Sequence, residues 1–240
     1  MSEPFHLKQF DIYQDRSALK VGTDGMLLGA IVADRCVLNP PKRVLDIGTG
    51  TGIIALMLAQ VFPRTTQIVG IEIDTASAEE ATQNALHSPF SSQVTIINTD
   101  LRHFTSDSFD LIVSNPPFFT HTHSTSDERS TQAKHSISLS PECFFGKCQE
   151  LLTPQGSIAT IIATSAFQEY KMQGKSHGFS PIENINIVSK VGRPPKRIVT
   201  FWQNSPMPLR NNALTILQGN GRHSYTPEYA RLLRPYLIIL

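Results

Sequence analysis

Residues 43–56 read "RVLDIGTGTGIIAL". A short β-branched apolar run ends at Ile47, and an apolar run of helical type starts at Ile53. Between them Gly48, Gly50 and Gly52 alternate. Strand, glycine-rich turn and helix together suit a ligand. Glycine allows positive φ and close backbone approach, and the next helix offers free N–H groups. A dinucleotide fingerprint would read G-x-G-x-x-G, but counting from Gly48 its last glycine position falls on Ile53. The pattern present is D-x-G-x-G-x-G, led by Asp46. A carboxylate at a strand's end attracts a cationic ligand and repels a pyrophosphate. The turn therefore favours an ammonium or sulfonium group.

Outward from this turn the pattern repeats. "QIVGIEID" (67–74), "QVTIINTD" (93–100), "FDLIVSN" (109–115) and "GSIATIIA" (156–163) read as buried strands. Helices are expected at 53–62, 76–87, 164–174 and 140–152, the last capped by Ser140. Strands alternating with helices of this length predict βαβ units and a mainly parallel sheet. Upstream, residues 5–21 suggest short strands and turns. "GTDGMLLGAIVADRC" (22–36) suggests a helix starting near Thr23 or Asp24, either able to act as N-cap. After residue 180, "ENINIVSKV" and "RIVTFWQN" look like successive strands of an antiparallel edge, joined at Gly192, Pro194 and Pro195. The expected organisation is a single domain over 1–240, with an N-terminal extension (1–40) on the cofactor side and a basic part (180–240).

Composition narrows the classes. A chain of 240 residues buries about 70–75% of its extended surface and needs neither disulfides nor metal to fold. Three cysteines, Cys36, Cys143 and Cys148, do not make a secreted framework. The charged N-terminus and the lack of any apolar run of 18 residues point to a cytoplasmic protein without a membrane span. Net charge is +1, but it is unevenly spread. From Lys190 onward eight Lys/Arg face Glu228 alone, giving +7; the remainder holds 13 basic and 19 acidic residues, giving −6. Either a polyanion binds the C-terminal part, or the charges form a solvated surface.

A second motif follows the strand at 109–115: Asn115-Pro116-Pro117-Phe118, then Phe119. An amino group on an aromatic ring, or an amide, is a poor nucleophile because its lone pair is delocalised. Two fixed acceptors, the Asn115 side-chain oxygen and the Pro116 carbonyl, would hold its N–H groups and aim that lone pair. The prolines fix φ and stiffen the acceptors. Phe118 would stack on the target plane. Phe119 is either a second wall or plain packing. A turn after a strand is the bland alternative.

"DIGTGTG" followed by "NPPF" resembles the S-adenosylmethionine-dependent methyltransferases of the Rossmann-like class I. The resemblance implies an α/β fold with a mostly parallel seven-stranded sheet, helices on both faces and an antiparallel edge near the C-terminus. It implies S-adenosyl-L-methionine as cofactor. Asp46, Gly48, Thr49 and Gly50 would surround its aminoacid part. Glu72 and Ile73 would meet the ribose side, Asp100 and Leu101 the adenine, and Asn115 would also lie near it. "LKVGTDGMLLGA" (19–30), "KHSISLSPE" (134–142), "PPKRIVTFW" (194–202) and "YTPEYARLLRPYL" (225–237) are similar to segments of the bacterial enzymes that methylate N6 of adenine 37 in valine tRNA. By that likeness Lys20, Thr23 and Asp24 lie near the cofactor or target base, and a tRNA anticodon stem-loop is the partner.

Substrate contacts are expected from Phe119, Arg129, Lys134, His135, Arg193, Lys196 and Arg197. Arg129, Lys134 and the histidines belong to a long polar stretch, 119–136, of functional-loop type. His121 and His123 have metal-like spacing, but the segment offers no further ligand beyond His135, so no metal is expected. The chain departs from its family in having Phe118 where Tyr is frequent. It also has Lys134 where Arg is common, which keeps the charge but not the bidentate fork. A monomer is expected. The rival readings are a glutamine N5-methyltransferase acting on protein, a DNA adenine methyltransferase, and a non-catalytic RNA-binding module on the same fold. The first needs a larger N-terminal substrate domain than the roughly 40 residues before the turn; intact Asp46, Glu72, Asp100 and Asn115 oppose the last.

Overall fold

The computed structural model describes residues 3–116, 139–205, 207–219, 221 and 224–238. In chain order the elements are β1 (Phe5–His6), β2 (Asp11–Ile12), α1 (Thr23–Cys36), β3 (Arg43–Ile47), α2 (Ile53–Val61), β4 (Gln67–Glu72), α3 (Thr75–His87), β5 (Val94–Asn98), β6 (Phe109–Ser114), α4 (Pro141–Leu151), β7 (Leu152–Ala163), α5 (Phe167–Ser176), β8 (Ser180–Lys190), β9 (Arg197–Gln203), β10 (Arg210–Leu217) and α6 (Pro227–Leu233). Short 3₁₀ turns stand at Leu101–His103 and Thr164–Ala166.

The main sheet has the order β10-β8-β9-β7-β6-β3-β4-β5. Strands β3 to β7 are mutually parallel. Only β9 runs against its neighbours β7 and β8, and β10 then lies parallel to β8. The α/β class and the antiparallel pairing near the C-terminus hold. Among the described residues the count is corrected from seven strands to eight, with β10 added outside the antiparallel pair. The sequence of β10 hid it: its first half, Arg210 to Asn212, is polar and exposed and lacks the apolar signal of a strand. It is held by polar contacts instead, Arg210 and Asn212 both donating to Glu183 on β8 (2.9 and 3.0 Å).

Each face of the sheet has its own core. On one side α1 and α2 pack through Leu28, Val32 and Met57, all fully buried, each worth about 1.5–3 kcal/mol. The C-terminal segment joins this side, with Lys8 N–H donating to Tyr236 O (2.8 Å). On the other, Phe144 and Phe145 of α4, Tyr170 of α5 and Trp202 of β9 form an aromatic cluster. The Trp202 indole, which could not be buried unpaired without penalty, donates to Thr160 Oγ1 (3.0 Å). Among the described residues no helix is long and apolar enough to cross a membrane.

One expectation about α1 fails. Its N-cap is Gly22, and neither Thr23 nor Asp24 caps it. Asp24 lies one residue inside the helix, and its carboxylate accepts from Arg197 Nε at the start of β9 (2.8 Å). The ion pair outcompetes a local cap and ties α1 to the sheet.

Because β3, β4, β5 and β6 are parallel, their C-terminal ends meet on one side. The glycine turn, Glu72, Asp100 and Asn115 are thus gathered where ligands of open α/β sheets bind.

Candidate active site

The turn after β3 is built by three left-handed glycines, Gly48 (φ 70°), Gly50 (φ 56°) and Gly52 (φ 83°), the last being the N-cap of α2. A Cβ at Gly48 or Gly50 would meet nothing within 4 Å, so both face open space. Across from them Gly70 is needed for the opposite reason. A Cβ there would stand 2.7 Å from Ile96 and 2.9 Å from Thr49 Oγ1. The turn can fold down on β4 only over a bare backbone.

A cavity of about 330 Å3 opens in front of this turn. Of the residues expected around a cofactor, Gly48, Gly50, Glu72, Ile73, Asp100, Leu101 and Asn115 line it. Asp46 and Thr49 are buried beneath the turn and are not among the lining residues. Lys20 and Thr23 are exposed and also outside the lining. Pro116 does line it; Pro117, Phe118, Phe119, Arg129, Lys134 and His135 fall outside the described residues. Arg193 and Lys196 are exposed in the β8–β9 connection, at the end of β8 that corresponds to the cavity end of β6. Arg197 faces Asp24.

Sequence reasoning missed two walls. Ala18 and Leu19 form one; Leu139, Ser140 and Cys143 at the start of α4 form another, with Arg102 beside them. The signal for α4 was available, since Ser140 caps it as expected, accepting from Cys143 N–H (3.2 Å). No periodicity announces Ala18 and Leu19, which sit in irregular chain.

The polar groups fall into two kinds. Glu72 Oε2 accepts from Gly50 N–H and Oε1 from Asp74 N–H, both at 3.0 Å. Its carboxylate is thereby fixed, with lone pairs still free for a pair of hydroxyls. Asp100 Oδ1 accepts from Arg102 N–H (2.9 Å), and Oδ2 accepts from Nε (2.8 Å) and Nη2 of the Arg102 guanidinium. That bonding holds the Asp100 carboxyl below its ordinary range. The other kind is incompletely bonded. Asp46 Oδ2 accepts from Thr49 Oγ1 (2.7 Å), but Oδ1 is buried without a partner. Burial pushes the Asp46 carboxyl up to about 7. Asn115 Oδ1 is likewise buried and, among the described residues, unpartnered, while its Nδ2 faces Gly25 of α1.

Buried acceptors without donors are rare in native proteins, and at a cavity they mark where a ligand's N–H groups belong. The site offers a cradle of bare backbone, a fixed carboxylate for vicinal hydroxyls, the half-exposed apolar Ile73 and open acceptors for amino groups. These fit S-adenosylmethionine, with its aminoacid, ribose, adenine and sulfonium parts. Among the described residues no group of His, Cys, Asp or Glu is arranged to hold a metal ion.

Comparison with known proteins agrees with this geometry. The Methyltransferase small domain family matches residues 25–175. A tRNA1(Val) (adenine(37)-N6)-methyltransferase of Bacteroides thetaiotaomicron is 37% identical over 243 residues, covering 100% of both chains. One of Aeromonas hydrophila is 32% identical over 234 residues, covering 98% of this chain and 97% of its own. Among solved structures, a predicted O-methyltransferase from Agrobacterium tumefaciens superposes with a TM-score of 0.68 at 20% identity, covering 89% of this chain and 96% of that one, a likeness of fold. The full-length match at this identity makes the chain a member of the tRNA1(Val) (adenine(37)-N6)-methyltransferase family.

Proposed function

We infer that this protein transfers the methyl group of S-adenosylmethionine to the exocyclic N6 of adenine 37 in the anticodon loop of a valine tRNA. The observation that carries the reading is Asn115 Oδ1, a buried acceptor without a donor beside Pro116 on the cavity, in a chain whose relatives of that activity match end to end. Glutamine methylation and a non-catalytic role are not favoured by those relatives.

Bound in the cavity, S-adenosylmethionine supplies an electrophilic methyl group on a sulfonium. Gly48 and Gly50 would lie against its aminoacid part, with Asp46 behind them, Glu72 would hold the ribose hydroxyls, and Asp100 with Leu101 would meet the adenine. Asn115 Oδ1 and the Pro116 carbonyl accept the two N–H groups of the target amine. That turns its lone pair out of the ring plane and aligns it for displacement. After transfer the amine has lost its delocalisation and releases a proton readily, so no side chain is needed as a strong base. Phe118 is proposed to stack on the adenine, and an adenine in a loop leaves its neighbours at little cost.

The polyanion is the tRNA, with Arg193 and Lys196, together with Arg129, Lys134 and His135, proposed as its contacts; Arg197, expected among them, is engaged by Asp24 instead. Such an enzyme works in the cytoplasm, where its substrate is. We read 1–240 as one domain and one monomer. The test is a labelled methyl donor offered with RNA, DNA and protein fractions from a methylation-deficient strain. Label in N6-methyladenosine of the RNA is expected; label in protein glutamine would overturn the assignment.

A further inference from the structure

The chain before α1 is strapped across α3. Tyr13 N–H donates to Asn84 Oδ1 (2.9 Å), and Asn84 Nδ2 donates back to Tyr13 O (2.8 Å) and to Thr51 O (2.9 Å). At the far end Ala18 N–H donates to Ser77 Oγ (3.1 Å). Between them Glu80 receives four donors. Its Oε1 accepts from Asp15 N–H (2.7 Å) and Arg16 N–H (3.0 Å). Its Oε2 accepts from Ser17 N–H (2.8 Å) and Ser17 Oγ (2.5 Å). Three successive N–H groups converging on one carboxylate make a nest.

Glu80 is only 6% exposed. A buried carboxylate is costly unless its oxygens are bonded, and here every donor comes from an irregular segment with no other ladder to join. The segment's outcome is a wall: Ala18 and Leu19 follow directly and line the cavity, whereas Glu80 does not. Leu19 is 67% exposed, an apolar side chain with open space before it. Ser77 joins the two, holding Ala18 while lining the cavity itself.

We propose that Glu80 is a positioning residue for the cofactor, acting through the strap 13–19 so that Ala18 and Leu19 close the cavity against the bound molecule. This rests on reading the cavity as the S-adenosylmethionine site. Without the clamp the strap would have to be ordered at each binding event, which lowers affinity; with it the wall is preformed.

Titration calorimetry with S-adenosylhomocysteine tests this on the wild type, three single variants and one double variant. Glu80→Gln puts an amide NH2 where one carboxylate oxygen accepted, against one or two of the strap's N–H groups, and is expected to raise Kd about tenfold or more. Leu19→Ala, which alters only an exposed side chain, is expected to raise it about three- to tenfold at unchanged melting temperature. Ser17→Ala removes one donor of four and serves if Glu80→Gln does not fold; about threefold is expected. In Glu80→Gln and Ser17→Ala the loss should appear in KM for the cofactor rather than in kcat. In the Leu19→Ala background the effect of Glu80→Gln should shrink, because both act on one wall. Wild-type protein that binds no S-adenosylhomocysteine would remove the cavity reading and the inference together. Wild-type binding with unchanged Kd in Glu80→Gln and Ser17→Ala would overturn the strap inference alone, whatever Leu19→Ala does.

Discussion

Two pairs of polar side chains stand at or beneath the same cavity and differ in how they are held. Glu72 and Asp100 have both carboxylate oxygens engaged by the chain's own donors. Asp46 and Asn115 each keep one buried oxygen unpartnered. The first pair can be set before any ligand arrives, since each carboxylate still has a lone pair left for a hydroxyl or a ring amine. On the reading proposed above, the second pair would meet donors that a ligand brings: an ammonium for Asp46 and the target amine for Asn115. Unmade hydrogen bonds at a buried acceptor cost roughly 1–3 kcal/mol, recovered only when the ligand donates. On the same reading, Glu72, Asp100 and Asp46 recognise the cofactor and Asn115 serves the chemistry.

The sharpest way to break this contrast is Asn115→Ala. Methyl transfer should fall by at least about 10² with cofactor affinity nearly unchanged, read by single-turnover kinetics beside calorimetry. Full activity in that variant would place the acceptors elsewhere. Asp46→Asn comes next, expected to weaken cofactor binding about 10- to 100-fold by loss of a charged acceptor. Asp46 also gives the contrast a pH signature. Its folded pKa of about 7 lies above the ordinary 3.8, so the ligand-free folded chain holds a proton that the unfolded chain releases. Stability of the ligand-free protein should therefore fall as pH rises through that window. Cofactor affinity should instead rise toward pH 7, by up to about tenfold per unit, because a cationic ligand selects the ionised form. Both slopes should vanish in Asp46→Asn.

The same distinction runs through the basic C-terminal part. Arg197, Arg210 and Arg231 are committed to Asp24, Glu183 and Asp34, whereas Arg193 and Lys196 are exposed at the cavity end of β8. Replacing both by Gln should flatten the salt dependence of tRNA binding, each charge removing about 1 from the log–log slope. An unchanged slope would exclude them from the phosphate contacts. The smallest effect belongs to Arg102→Ala. It frees the Asp100 carboxylate, but the pair is half exposed, so cofactor Kd should move about two- to fivefold at most. A larger loss would mean that Asp100 is not preset without its arginine.

Much of this was legible in the sequence because the signals were local. The β3 turn, the Asn115-Pro116 end of β6 and the Ser140 cap each declare themselves within a few residues. What stayed hidden depends on contacts between distant segments. β10 is recognised by Glu183, not by its own apolar pattern. Asp24 looked like a cap and is an ion-pair partner across 173 positions of sequence. The strap that leads to Ala18 and Leu19 is gathered by Glu80, some 60 residues on, and Ala18 itself is held by Ser77. All four key polar groups were recognisable by type; which of them would be satisfied and which left open was not, since that requires knowing every neighbour.

The most direct measurement is methylation of two tRNA1(Val) transcripts, one natural and one carrying guanine at position 37, with labelled S-adenosylmethionine and nucleoside analysis by mass spectrometry. The account predicts N6-methyladenosine at position 37 of the natural transcript and none in the other. Equal labelling of both transcripts, or a methyl group on any other nucleoside, would contradict it.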